Sequence, residues 1–152
     1  MDTINNLFPV FEMPPTLAVE TRRPQRYHPA PLFDIERGEF ILNGARQAAY
    51  GSGSDAWVLW CTKMILTQRF AHLAYGDDIG VEAEEAFRQP DRRAQESAFE
   101  RTITEALLAD SAGRTKQVRG FSFRWGADSL HISCEIIGHD GNSASIDVDM
   151  KR

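Results

Sequence analysis

The sequence predicts an α+β fold: two amphipathic helices packed on a C-terminal antiparallel three-stranded meander, with a short N-terminal β-hairpin and an extended proline-rich N-terminal arm. Three observations carry this. Two segments repeat apolar residues at helical spacing. Three segments near the C-terminus alternate apolar and polar residues, with turn residues between them. Six of the seven prolines fall within the first 31 residues. A chain of 152 residues suits one domain. The division expected is an arm over 1–31 and a single α+β domain over 32–152.

The arm holds Pro9, Pro14, Pro15, Pro24, Pro29 and Pro31. Proline fixes φ and lacks a backbone donor, so this stretch is neither a helix nor a central strand. It also carries Leu7, Phe8, Val10, Phe11, Met13, Leu17 and Val19, more apolar side chains than a disordered tail contains. An extended arm of this kind needs a surface to lie on, either its own domain or a neighbouring chain.

Phe33 and Ile35 alternate with polar residues, Arg37-Gly38 offers a turn, and Phe40 and Leu42 resume the alternation. That pattern is a short hairpin, which Asn43-Gly44 ends. Gly51-Ser52-Gly53 reads as a flexible joint. Ser54 is the expected cap of the first helix, with Asp55 at its positive end. Trp57, Trp60, Cys61, Met64 and Ile65 then share one face, and the pattern extends to about Tyr75 with Gly76 as C-cap. Residues 76–90 are polar and end at Pro90. The second helix is expected from about Asp91 to Ala109, burying Phe99, Ile103, Ala106 and Leu107 between the flanking Ala98 and Thr102.

In the meander, Phe121, Phe123 and Trp125 share a face in the first strand, and Leu130, Ile132, Cys134 and Ile136 in the second. After the hairpin turn at Asp140-Gly141, Ile146, Val148 and Met150 alternate with Ser145, Asp147, Asp149 and Lys151. Three strands with one apolar face need a cover, and the two helices supply it. The last strand can lie at a sheet edge. Such an edge either exchanges strands with another chain or stands solvated behind its charges.

Composition narrows the function. The formal net charge is -5 and no window is strongly basic, which disfavours nucleic acid and polybasic membrane contact. No stretch approaches the ~20 apolar residues of a membrane span. The opening Met1-Asp2-Thr3 has no signal-peptide character, so synthesis in a reducing cytoplasm is expected. Cys61 and Cys134 lie in apolar patterns and read as buried free thiols, without zinc spacing. The common nucleophile, phosphate-loop, dinucleotide and zinc-protease motifs are absent. His28, His72, His131 and His139 are dispersed. Glu96, Glu100 and Glu105 are mixed with Arg93 and Arg101, as on a solvated helix face. The reading is of a protein that is not an enzyme and holds no cofactor or metal.

Several stretches, taken in order, resemble the XkdS-type phage baseplate proteins. They are Tyr27-His28-Pro29 leading into Phe33–Phe40, the run Trp57 to Glu82, Glu100 to Asp110, and Val118 to Trp125 with the two strands after it. The resemblance covers about residues 27–150 and extends to the wider family of contractile-tail sheath initiators and baseplate wedge proteins. It implies a structural subunit of the tail baseplate, six copies in a ring around the tail tube, made and assembled in the bacterial host cytoplasm. The implied partners are the larger baseplate wedge proteins and the tail sheath protein. Relatives place an acid, a proline and an arginine together after the second helix, at a contact with the wedge. Here Asp110 and Arg114 stand at that place, without the proline and at longer spacing. The resemblance also implies that Ile146, Val148 and Met150 meet the sheath's linker strands, and that Phe8 and Phe11 of the arm meet a neighbouring baseplate chain. Some members of the wider group have carried a lysozyme-like label. A tail-associated cell-wall hydrolase and a non-phage assembly adaptor are therefore the alternatives.

Overall fold

The computed structural model describes residues 27–152. Phe8 and Phe11 lie outside the described residues. The ring of Tyr27 stacks on Trp57 with centroids 5.4 Å apart. Strand β1 (Ala30–Pro31) pairs antiparallel with β4 (Tyr50–Gly51), and β2 (Phe33–Asp34) with β3 (Glu39–Phe40). Residues 27–31 therefore lie on the domain. The hairpin appears where the alternation put it, with Phe33 opposite Phe40. Its turn is held by Asp34 Oδ1, which accepts from the backbone N–H of Glu36 and Arg37 at 3.0 Å each.

The segment Gly51-Ser52-Gly53 is not a joint. Gly51 is paired to Ala30, and a Cβ at Gly53 would collide with the Tyr27 backbone. Ser52, not Ser54, caps helix α1 (Gly53–Leu66). Its Oγ accepts from Asp55 N at 3.2 Å, while Ser52 N donates to Asp55 Oδ2 at 2.9 Å. This reciprocal box needs a serine with an acid three residues on. Ser52 has Asp55 there, whereas Ser54 has Trp57.

Helix α1 also ends earlier than its pattern suggests, because tertiary pairing captures the chain. Thr67 turns extended, Arg69 N donates to Val81 O, and Val81 N donates to Thr67 O, each at 2.9 Å. This clasp closes a loop in which Phe70, Leu73 and Tyr75 stand exposed. A short helix, α2 (Ala83–Phe87), then forms inside the segment expected to be polar loop. Its Phe87 packs edge-on against Phe99, with centroids 4.8 Å apart.

Helix α3 (Arg92–Leu108) starts at Asp91, whose Oδ1 accepts from Ala94 N at 2.9 Å. Phe99, Thr102, Ile103, Ala106 and Leu107 are buried along it. The meander is β5 (Thr115–Trp125), β6 (Ser129–Gly138) and β7 (Ser143–Lys151), antiparallel in the order β5-β6-β7. Its apolar face meets the helices, with α3 against β5 and α1 against β7. Leu130, Ile132, Cys134 and Ile136 of β6 form the centre of the core with Trp57, Ile65, Phe99 and Leu107. Burying each such side chain is worth about 1.5–3 kcal/mol, so this one face holds the domain together. Cys61 and Cys134 are both buried and free.

A candidate assembly interface

Strand β7 is the last in the sheet, and its pairing with β6 is unbroken from Ser129↔Lys151 to Ile137↔Ser143. Two flanking bonds fix its phase. Gly138 N donates to Asn142 O, and Arg152 N donates to Asp128 O. In an antiparallel ladder, residues alternate between turning both main-chain groups to the partner and turning them away. Residues 144, 146, 148 and 150 therefore bond to β6. Ser145, Asp147 and Asp149 present N–H and C=O outward. Among the described residues, no main-chain bond beyond the ladder reaches these outward groups.

The same alternation settles the side chains. Ile146, Val148 and Met150, expected as partner contacts, are buried in the core, at 2%, 4% and 8% exposure. Their side chains pack in the helix-roofed core. The outward backbone edge of β7, not these side chains, is what lies at the margin of the sheet. On the solvent face, His131 sits between the two acids. Its Nδ1 is 2.9 Å from Asp149 Oδ1 and its Nε2 3.5 Å from Asp147 Oδ1.

The opposite edge differs. Strand β5 shifts register twice against β6, between Thr115 and Gln117 and between Arg119 and Ser122. Gly120 there has φ 66, a left-handed conformation suited to glycine. Bulges and basic side chains blunt a sheet edge against pairing, and β5 also carries Lys116, Arg119 and Arg124. One edge of the sheet is thus bulged and basic and the other regular.

Asp110 and Arg114, expected at a contact with the wedge, bond to each other. Arg114 Nε donates to Asp110 Oδ2 at 2.7 Å and Nη2 to Oδ1 at 3.2 Å. The carboxylate also accepts from the backbone N–H of Ala112 and Arg114. Burial opposes the charge on Asp110, but the Arg114 hydrogen bond, the Ala112 N–H and the Arg114 charge outweigh it and hold the carboxyl below its usual range. The guanidinium lies 4.8 Å from the centre of the Trp60 ring. The pair thus staples the corner between α3 and β5, with Asp110 inside it.

The clasped loop escaped sequence reasoning. Arg69 Nε donates to Gly80 O at 3.0 Å and its Nη1 to Glu82 Oε1 at 3.2 Å, holding the loop's base. The apolar residues at 70, 73 and 75 mimic a helix face. The turn-forming Gly76-Asp77-Asp78 run was the signal against reading them so.

Among the described residues no helix is long and apolar enough to cross a membrane. No cluster of His, Cys, Asp or Glu there is arranged to hold a metal ion.

The described residues form a small domain with one sheet face roofed by helices and a regular outer edge on β7 to which none of them pairs. The chain belongs to the contractile injection system sheath initiator family, which its residues 31–141 match. The match runs from β1 to the turn before β7, in agreement with the resemblance to phage baseplate proteins. It makes the chain a structural component of the tail baseplate of such a system. No curated protein matches the chain.

Proposed function

We propose that the protein links the baseplate wedge to the first layer of tail sheath, offering the outward edge of β7 to an extended segment of the sheath protein. The observation that carries this reading is the asymmetry of the sheet: β5 is bulged and basic, while β7 runs nine residues in unbroken register with outward groups at Ser145, Asp147 and Asp149. Strand addition at such an edge takes its affinity from main-chain hydrogen bonds. On this reading six copies ring the tail tube, assembled in the host cytoplasm. The arm, through Phe8 and Phe11, and the corner at Asp110 and Arg114 face the larger wedge proteins.

The role is structural and not catalytic. A glycosidase acid needs a raised pKa, whereas Asp55, Asp110 and Glu135 are each shifted down by the hydrogen bonds they accept, in Asp110 against the opposing effect of burial. Glu96 Oε1 accepts from Trp125 Nε1 at 2.8 Å, and Glu105, with its side chain 55% exposed, lies 4.0 Å from Arg69, so neither is set in an apolar pocket. These features support the subunit over a cell-wall hydrolase.

Cryo-electron microscopy of the intact particles tests the reading. The expected result is a ring of this chain between wedge and first sheath layer, with a foreign strand beside β7. Density elsewhere in the particle, or β7 bare at the sheath junction, would overturn it.

A further inference from the structure

We infer that the segment pairing with β7 carries two cationic side chains two residues apart, opposite Asp147 and Asp149, and a neutral residue opposite Ser145. This inference rests on the proposed strand addition and goes beyond it by stating the chemistry of the added strand.

The argument starts from the rows of side chains that cross the solvent face. The register aligns Arg124 with His131 and His131 with Asp149. It aligns Ser122 with Ser133 and Ser133 with Asp147. A third row runs Arg119, Glu135, Ser145. Two of the rows therefore end on a carboxylate at the β7 edge, and Lys151, opposite Ser129, follows them along that edge. Within the third row charge is already balanced, because Arg119 Nε donates to Glu135 Oε2 at 2.8 Å and the row ends on a neutral serine. The first two rows end on carboxylates. Asp147 and Asp149 are 57% and 74% exposed, and among the described residues the one basic group placed against either is the shared imidazole of His131.

A fourth strand would continue each row. Residues directly across an antiparallel pair have Cβ atoms about 4.5–5.5 Å apart, where like charges repel and opposite charges attract. An acidic residue opposite Asp147 or Asp149 would be penalised, and a lysine or arginine favoured. The residues between those positions fall on the roofed face beside Ile146 and Val148, where apolar side chains fit. The edge thus selects an extended segment reading neutral, apolar, cationic, apolar, cationic along the direction from Ser145 to Asp149. Main-chain bonds supply affinity, and the two acids supply the choice of partner and a share of the encounter rate.

The test uses the full-length protein and the sheath protein of the same particle, with binding followed by fluorescence anisotropy at several salt concentrations. Asp147→Pro removes an outward N–H without touching the β6 ladder, so it reports on strand addition itself. Asp149→Pro repeats that report at the next outward amide, and a cooperative melt by circular dichroism verifies folding. Asp147→Asn with Asp149→Asn removes only charge. Two opposite-charge pairs correspond to about a 2- to 30-fold loss of affinity. The expected result is that loss, with a flatter salt dependence, and a larger loss for Asp147→Lys with Asp149→Lys. If the proline variants abolish binding while the Asn and Lys variants bind like wild type, the cationic segment is refuted and strand addition stands. If folded proline variants also bind like wild type, strand addition itself fails.

Discussion

Arg114 grips Asp110 through two hydrogen bonds, of 2.7 and 3.2 Å, at the corner where α3 gives way to β5. The same arginine's carbonyl accepts from Tyr27 Oη at 2.8 Å and from His139 N at 3.0 Å. One residue thus joins Tyr27, the end of α3 and the β6–β7 turn.

Arg114→Met should destabilise the domain by about 2 kcal/mol, because it leaves a buried carboxylate short of its charged partner. Urea unfolding measures this. Acid titration gives a second readout. The folded carboxyl of Asp110 is held below its unfolded value, so its contribution is complete above the ordinary carboxylate range. It is lost as pH falls below about 4 toward the folded value. Asp110→Asn should flatten that part of the acid limb. An unchanged limb would show that the pair does not drive it.

Tyr27→Phe should cost about 1 kcal/mol, from the bonds to Arg114 O and to Asp140 Oδ1. Burial, and then the charge of Asp140, push the Tyr27 hydroxyl up to about 12. Its folded value is raised, so its stabilisation is full below pH 10 and drains away between 10 and 12. Phenolate absorbance should show one of the three tyrosines ionising last, and Tyr27→Phe should delete that step. Three tyrosines ionising together would contradict the contact.

Ser52→Ala should cost about 1 kcal/mol through loss of the α1 cap, and Ser54→Ala only a few tenths. Thermal melts of the two variants decide between the two serines. Equal losses would remove the capping box as the reason α1 begins where it does.

Phe70 holds φ at 64 and is 68% exposed. Asparagine accepts that conformation more readily. Phe70→Asn should therefore stabilise the fold by about 0.5–1 kcal/mol, as read by urea midpoint. A loss of stability would mean the ring packs within the domain.

Leu107 and Leu73 test how far an apolar pattern can be trusted. Leu107 is wholly buried and Leu73 wholly exposed. Leu107→Ala should cost about 2–5 kcal/mol, and Leu73→Ala less than about 0.5. Comparable losses would place Leu73 in the core.

What the sequence by itself determined is every element whose side-chain period is matched by its burial. The meander alternates strictly because one face is roofed and the other wet, so Leu130 to Ile136 and Ile146 to Met150 were legible. Helix α3 was legible from Asp91 to Leu107 for the same reason, with its cap beside its first turn. Asp110 and Arg114 were expected at a contact with the wedge, and their bond to each other was not legible, because the corner it closes depends on Trp60 and Tyr27, distant in sequence. Only the tertiary structure decided where α1 stops. Val81, from a segment with no period of its own, takes the hydrogen bonds that would have continued the helix, and a local pattern carries no sign of a competitor so far along the chain. Only the tertiary structure, likewise, decided which residues of β7 face outward with their backbone. Side-chain alternation names the two faces of a strand, but the phase of its hydrogen bonds is set by the partner strand, through Gly138 with Asn142 and Asp128 with Arg152.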